Sequence, residues 1–386
     1  VEVYLMPVDG FRLDVWRRFN GGETSRMQRR FAPLIVLFAL CLLWSGCGRQ
    51  ADDRDDFASL DVIREYRFAT DVDEPQARWH PTQNLVVGRL PAGLVLMHER
   101  RTLWRYYETP DGAECWNPVW LDGETVLFGP NPHPRVDDRQ GLLLPKSGLH
   151  MSRLSKRGLS KPEPVTTFGY APRMWHEGIF TFQFGDQMNA WRVNGESEEP
   201  LGNGFDLVPQ PNGRGLAWMD RPPIETDYWT GVIPPGTRII RWREGVLSEV
   251  PGLVQVHWVA QEGRSGLYGT KLGRAPDAGA AWTTGEPAVG FLDGPHAEWR
   301  ELLAGAWDPQ LHPQQPWVAV TSSGIDGGEA GVYLYNMLNG ASKLLLAGAT
   351  NPRWNFNGER LMVELVTPQD QLVLVILVLG ELIHDT

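Results

Sequence analysis

The nine histidines are the first residues to weigh for chemistry. None sits in His-x-x-x-His or His-Glu-x-x-His spacing, so no helix presents two imidazoles to one metal ion. His80, His176, His257 and His312 each stand close to a large aromatic or apolar residue at the start of a strand-like run. A repeated turn or a structural hydrogen bond is the expected use of such histidines; convergence on one face as ligands or bases is the sharper alternative. The only serine near glycines that resembles a nucleophile elbow lies in Gly263-Arg-Ser-Gly266, where the second glycine comes one place too early. Cys115 has no local His partner and reads as a small buried hydrophobe. Neither a phosphate-cradling loop nor a Gly-x-Gly-x-x-Gly after a strand occurs, so no cofactor is expected.

Aromatic residues offer binding rather than catalysis. Of 17 tryptophans, Trp79, Trp120, Trp175, Trp258 and Trp354 recur at one position of a repeat and are expected to pack. The aromatics Tyr228, Trp229 and Trp242 lie near the proline-rich stretches Arg221-Pro-Pro223 and Val232-Ile-Pro-Pro235. Prolines lower the ordering cost of presenting a side chain, so Arg221, Tyr228, Trp229 and Trp242 are the candidate binding residues.

The whole chain constrains these options. It has 386 residues, 42% of them hydrophobic, and a formal net charge of −11. That charge argues against a nucleic-acid groove, which needs a basic stripe. Three cysteines cannot build a disulfide scaffold. Arg29 and Arg30, following Met27, precede the apolar run Phe31–Trp44, and Ser45-Gly-Cys47 ends it. This order is that of a secretory signal, too short to span a bilayer. Residues 1–26 carry acids that export signals avoid and are read as an extension upstream of the true start. Without residues 1–46 the chain keeps 30 Lys and Arg against 43 Asp and Glu, a net charge of −13. Residues 47–56 form an acidic tether.

Beyond the tether, short runs of Val, Leu, Ile, Phe and Trp alternate with Gly, Pro, Asn and Asp, the texture of an all-β chain. The runs repeat. Asn351-Pro-Arg-Trp-Asn-Phe-Asn-Gly358 precedes an apolar strand, as do Ala77-Arg-Trp-His-Pro81, Ala171-Pro-Arg-Met-Trp-His-Glu-Gly178 and Asn117-Pro-Val-Trp-Leu-Asp-Gly123. Weaker copies begin at Val208 and Asp308, and a decayed one lies around Val256-His-Trp-Val259. The unit at 308–346 adds two further strands, and four strands per unit describe a propeller blade.

These repeats resemble those of the TolB-like β-propellers of bacterial envelope proteins, over about residues 57–384. Seven motif starts imply seven blades of about 47 residues, six being the alternative. The strand Asp61–Phe68 is placed to close the ring against Leu372–Leu379, hiding an open sheet edge. Small residues before Cys47 resemble a lipobox, which implies lipidation at Cys47 and a membrane contact through that lipid only. Gly48, following it, points to the outer rather than the inner membrane. Asp277-Ala-Gly-Ala-Ala-Trp282 resembles a single Asp box of sialidase-like propellers, which is a structural turn. The resemblance implies a non-enzymatic, periplasm-facing scaffold for another envelope protein or a peptide. The rival is a hydrolase or lyase that uses carboxylates of the central channel on a carbohydrate or small molecule. Oligomeric state is left open.

Overall fold

In a computed structural model of the chain the apolar runs become strands that pair antiparallel in sequence order. The structure describes residues 62–69, 75–90, 93–98, 115–130, 135–137, 141–143, 148–176, 179–192, 198–211, 213–220, 236–259, 266–272 and 286–379. All belong to one unit, Arg54–Thr386. Among them there are no helices, and the strands form a seven-bladed β-propeller.

The inner strands of blades 1 to 7 are Arg78–Trp79, Trp116–Trp120, Tyr170–His176, Phe205–Pro209, Leu253–Trp258, Ala306–Leu311 and Ala349–Trp354. Blades 3, 4, 5 and 6 each continue through three more strands in simple meander order. Blade 1 shows three strands among the described residues, ending with Gly93–His98. Blade 2 carries an inserted hairpin, Arg135–Asp137 with Gly141–Leu143, between its second and third strands. Blade 7 is completed from the other end of the chain: Val62–Ala69 pairs antiparallel with Leu372–Leu379 as its outermost strand. The ring therefore closes as its alternating pattern implies, and the count is seven.

The core is not one cluster but seven seams, one for each pair of neighbouring blades. Leu85, Val87 and Leu96 of blade 1 meet Trp120, Val126 and Phe128 of blade 2. Met362, Leu374 and Ile376 of blade 7 meet Ala77, Val86 and Met97 of blade 1, which seals the ring. The remaining five seams have the same composition of strand residues from both neighbours. Buried on both faces, the middle strands read as continuous apolar runs such as Trp317–Ser322, every residue of which is buried.

Directional bonds set the seams in register. The indole N–H of Trp79 donates to the Arg353 carbonyl (2.9 Å), and Trp120 to Arg78 O (3.4 Å). Trp258 donates to Val208 O (3.0 Å) and Trp354 to Gln310 O (3.0 Å). Each reaches the inner strand of the preceding blade. Trp175 departs from the rule and donates forward, to Gly213 O (2.9 Å). His80 and His312 tie the other side of the seam. His80 Nε2 lies 2.7 Å from Gly123 O and His312 Nε2 3.2 Å from Gly358 O, each in the turn of the following blade. Their Nδ1 atoms accept backbone N–H groups of Thr82 and of Gln314 and Gln315, so Nε2 carries the proton and donates. These are the structural hydrogen bonds expected of the repeated histidines. Gly358 has φ +78° and lies so close that a Cβ would collide with the His312 ring, so both its conformation and its space demand glycine.

Two substitutions test this seam. Trp354→Phe keeps the packing and removes one N–H donor to a part-buried carbonyl, so the urea midpoint should fall by the equivalent of about 0.5–1.5 kcal/mol. Gly358→Ala should lower the midpoint by more than the ~0.4–1 kcal/mol that separates Ala from Gly at unstrained sites. Midpoints at wild-type values would show that neither the indole bond nor the turn holds the ring.

Candidate functional site

The inner strands do not run straight. In blades 2, 3, 4, 6 and 7 the register slips by one residue, between Trp116 and Val119, Tyr170 and Arg173, Phe205 and Val208, Trp307 and Gln310, and Thr350 and Arg353. Each slip holds a residue with positive φ: Asn117, Ala171, Asp206, Asp308 or Asn351, at 46–53°. Asn and Asp tolerate this conformation better than other side chains. A proline follows four of them, as suits a bulge that makes no ladder bond. Gln76 (φ 45°) occupies the same place in blade 1, and Gln255 stands at the slip of blade 5.

The freed N–H groups are captured by the preceding blade. Asn117 N donates to Gln76 Oε1 (2.6 Å), Asp206 N to Gln183 Oε1 (3.2 Å) and Asn351 N to Thr321 Oγ1 (3.2 Å). Asp308 N is shared by Gln255 Oε1 (3.1 Å) and Thr270 Oγ1 (3.2 Å). A bulge re-aims the side chain that follows it. Two residues after each bulge position stand Arg78, Val119, Arg173, Val208, His257, Gln310 and Arg353, one from every blade.

These side chains meet across the axis. Arg78, Arg173 and Arg353 come from blades 1, 3 and 7, yet Arg78 feels the charges of Arg353 and Arg173, Arg353 feels that of Arg173, and His257 of blade 5 feels all three. Blades 3 and 7 are not neighbours, so their approach passes through the centre of the ring. All four residues are partly accessible, as befits a solvated channel. Burial, together with Arg353 and Arg173, holds Arg78 well below the usual arginine value. Burial, opposed by Glu364 and Asp308 and reinforced by Arg173, lowers Arg353. Arg78 reaches the carbonyl of Ala77 (3.1 Å). Among the described residues Arg353 makes no ion pair or side-chain hydrogen bond.

The acids of the axis are held differently. Asp206 accepts Arg238 Nη2 at 2.9 Å, with Arg173 Nη2 at 3.8 Å. Burial raises its pKa, but the two arginines outweigh that and the net shift is downward. Arg238 itself is fully buried, bound also to Leu253 O, Val254 O and Asp206 O, so it clamps blade 4 to blade 5. Asp308 accepts the Gln255 amide and Thr321, and burial still raises its pKa. Glu364 accepts Asn351 Nδ2 at 2.9 Å and is raised by burial despite Arg353 and Arg78. His257 stacks on Tyr268 (5.0 Å between centroids, 18°) and takes the Gln310 amide on Nε2 (3.2 Å). Burial and the arginines push it down to about 3, so the imidazole is neutral with its proton on Nδ1. The balance is four guanidiniums against three carboxylates, two of which have their pKa raised by burial. A chain of net charge −11 thus encloses a cationic axis.

Among the described residues no three His, Cys, Asp or Glu side chains converge as a metal centre would need. Cys115 is buried, and burial pushes its thiol up to about 12 against the pull of Arg89, which makes it unreactive. Of the sequence-based binding candidates, Trp242 must be corrected. It is 1% exposed, packs edge-on against Trp258 and donates its indole N–H to Ser248 Oγ (2.8 Å), so it belongs to the seam between blades 4 and 5. Its place right after the strand Thr237–Arg241 explains this, because a seam needs a large plug there. Arg221, Tyr228, Trp229 and Cys47 lie outside the described residues, as does the Asp-box segment. The axial arginines escaped sequence reasoning although the Pro-Arg and Arg-Trp pairs of the repeat contain them.

No model of a known protein family matches the chain, and no curated protein does. In shape it is similar to an oligogalacturonate lyase in complex with manganese (TM-score 0.49, 10% identity, covering 82% of this chain and 91% of that one). It is also similar to a chain of the mitotic checkpoint complex (0.49, 10%, 80% and 92%) and to the tricorn protease (0.48, 11%, 79% and 33%). Identities this low speak of overall shape and nothing else.

The axis predicts a pH dependence. His257 and His312, pushed down to about 3 and about 4 mainly by burial, stay neutral in the fold while the unfolded chain takes up protons near 6.5. Stability should therefore be fully present above about pH 6.5 and fall as the pH drops below it. Asp308 and Glu364, being raised, act in the opposite direction once the pH nears the ordinary carboxylate range. Urea midpoints should accordingly decline between pH 7 and 5, and His257→Gln should flatten the decline. A midpoint constant over that interval would contradict neutral histidines in the fold.

Proposed function

We propose that this chain is a TolB-like binding propeller of the cell envelope, non-enzymatic, which holds another envelope protein or a peptide and is anchored through a lipid on Cys47. The observation that carries the binding reading is the state of the axis. Its guanidiniums are set rigidly by bulges and seams, while the groups that could move protons are committed. A general base works best with a pKa near the operating pH, and His257 is far below it. Asp206 is held as a carboxylate by two arginines. The exposed large hydrophobics among the described residues, Val62, Leu247, Leu338, Phe356 and Val366, are few and lie on blades 4, 6 and 7.

One observation favours the second reading, a hydrolase or lyase. Asp308 and Glu364 are both raised and feel one another, the pattern in which one carboxyl keeps a proton to donate. If that acid were used on a substrate, Glu364→Gln would abolish turnover and leave substrate affinity largely intact.

The anchor is tested by expressing the full chain in a bacterium beside Cys47→Ala. The expected result is a diacylglyceryl mass increment and detergent-dependent extraction, both lost in the variant. A soluble product cleaved elsewhere and carrying no lipid would sink the anchored reading.

A further inference from the structure

The arginines of the axis occupy one repeat position in blades 1, 3 and 7, where Asp206, Asp308 and Glu364 supply part of the counter-charge. Arg238 shows what a structural arginine looks like here: fully buried, with two hydrogen bonds to Asp206 and two to backbone carbonyls. Arg353 is the opposite, a guanidinium set within the ring that Glu364 and Asp308 attract but that makes no side-chain hydrogen bond among the described residues. Arg78 has only its neighbour's carbonyl, and Arg173 shares Asp206 at 3.8 Å. Packing does not need them, because Val119 and Val208 fill the same position in blades 2 and 4. Like charges brought together in a partly dehydrated channel repel more strongly than in water. Asp206, Asp308 and Glu364 offset the four axial guanidiniums only in part, and a bound anion would offset the remainder.

We infer that Arg78, Arg173 and Arg353 form an axial binding site for a ligand that carries two or more carboxylates. The guanidinium fork matches a carboxylate in two parallel hydrogen bonds, which a lysine could not supply. Three arginines from three blades suit several separated carboxylates better than one compact phosphate. His257 and Gln310 occupy the same ring and offer uncharged donors beside the arginines, so the site contains hydrogen-bonding groups as well as charge. The carboxylates belong either to a free polycarboxylate or to acidic side chains of a peptide inserted in the channel. The inference deepens the binding reading above, since it says what the axis holds.

The test is isothermal titration of the full chain with citrate, tri-glutamate, inorganic phosphate and tri-lysine, for the wild type, Arg353→Gln, Arg353→Lys and Arg153→Gln. Arg153 lies exposed on blade 2 and serves as a surface control. Citrate or tri-glutamate should bind with one-to-one stoichiometry, and whichever is tighter identifies the source of the carboxylates. Arg353→Gln should weaken that binding at least about tenfold, the order of one charge-assisted hydrogen bond. Arg353→Lys should recover it only in part, and Arg153→Gln should not change it. Each variant should keep the wild-type circular dichroism spectrum and a cooperative thermal transition. That readout guards against mistaking an unfolded variant for one that has lost its site.

The inference is overturned if neither carboxylate ligand binds, if phosphate binds as tightly as citrate, or if Arg153→Gln weakens binding as much as Arg353→Gln. Its failure is separable from that of the parent reading. Binding followed by consumption of the ligand would keep the site and remove the non-enzymatic role. Absence of binding would remove the site and leave the anchored scaffold standing.

Discussion

Each blade is joined to its neighbour by bonds that run from a side chain to a backbone carbonyl, and everything else in the ring depends on that arrangement. Apolar seams alone are non-directional and would let two sheets slide. The indole N–H of Trp79, Trp120, Trp258 and Trp354, each reaching the inner strand of the preceding blade, removes that freedom. His80 and His312 add a second bond in the other direction, to the turn of the following blade. A buried carbonyl without a partner costs about 1–3 kcal/mol, so a seam that slipped would lose on both counts. The ring also needs an end to its edges, and Val62–Ala69 supplies it by closing blade 7 with a strand from the other terminus of the domain.

With the seams fixed, the inner strands are free to be irregular where regularity would be useless. A straight strand would point alternate side chains into the two seams and none toward the centre. The one-residue slip in the inner strands of blades 2 to 7 changes this, and in blades 2, 4, 6 and 7 the preceding blade captures the N–H that the slip releases. The axis is therefore built by the same contacts that hold the blades together. Its side chains stand on a rigid frame of strands, not on loops, which is the condition for a site of fixed geometry.

Much of this is legible in the sequence, and for a simple reason. The repeat demands a large aromatic and a tight turn before every apolar strand, so Ala77-Arg-Trp-His-Pro81 and Asn351–Gly358 advertise their blades. The decayed copy around Val256 is recovered because Trp258 keeps the seam position. The closing strand is legible from its alternation beside a continuous apolar run. What could not be read is direction. The sequence contains Arg78, Arg173 and Arg353 in plain view, but a strand without a bulge would send them into a seam or to solvent. Only the slip, which depends on positive φ at Asn351 and its equivalents, turns them to the axis. Trp242 misled for the converse reason: nearness to a proline-rich stretch suggested a surface, whereas the end of a third strand is where a seam is plugged.

The charge of the axis is the last consequence of that frame. Had the repeat position been chosen for packing alone, Val119 and Val208 show what would serve. Asp206 is not a counter-argument, because it is already bound to Arg238 and offers Arg173 only a longer contact. Asp308 and Glu364 attract Arg353, and Glu364 attracts Arg78, while burial works against their charged forms. His257 responds to the same field by giving up its proton, which relieves the cluster by one charge and leaves the arginines, unable to do likewise, as the fixed cations. An axis that holds more guanidiniums than carboxylates favours an anion there, although the chain as a whole is acidic.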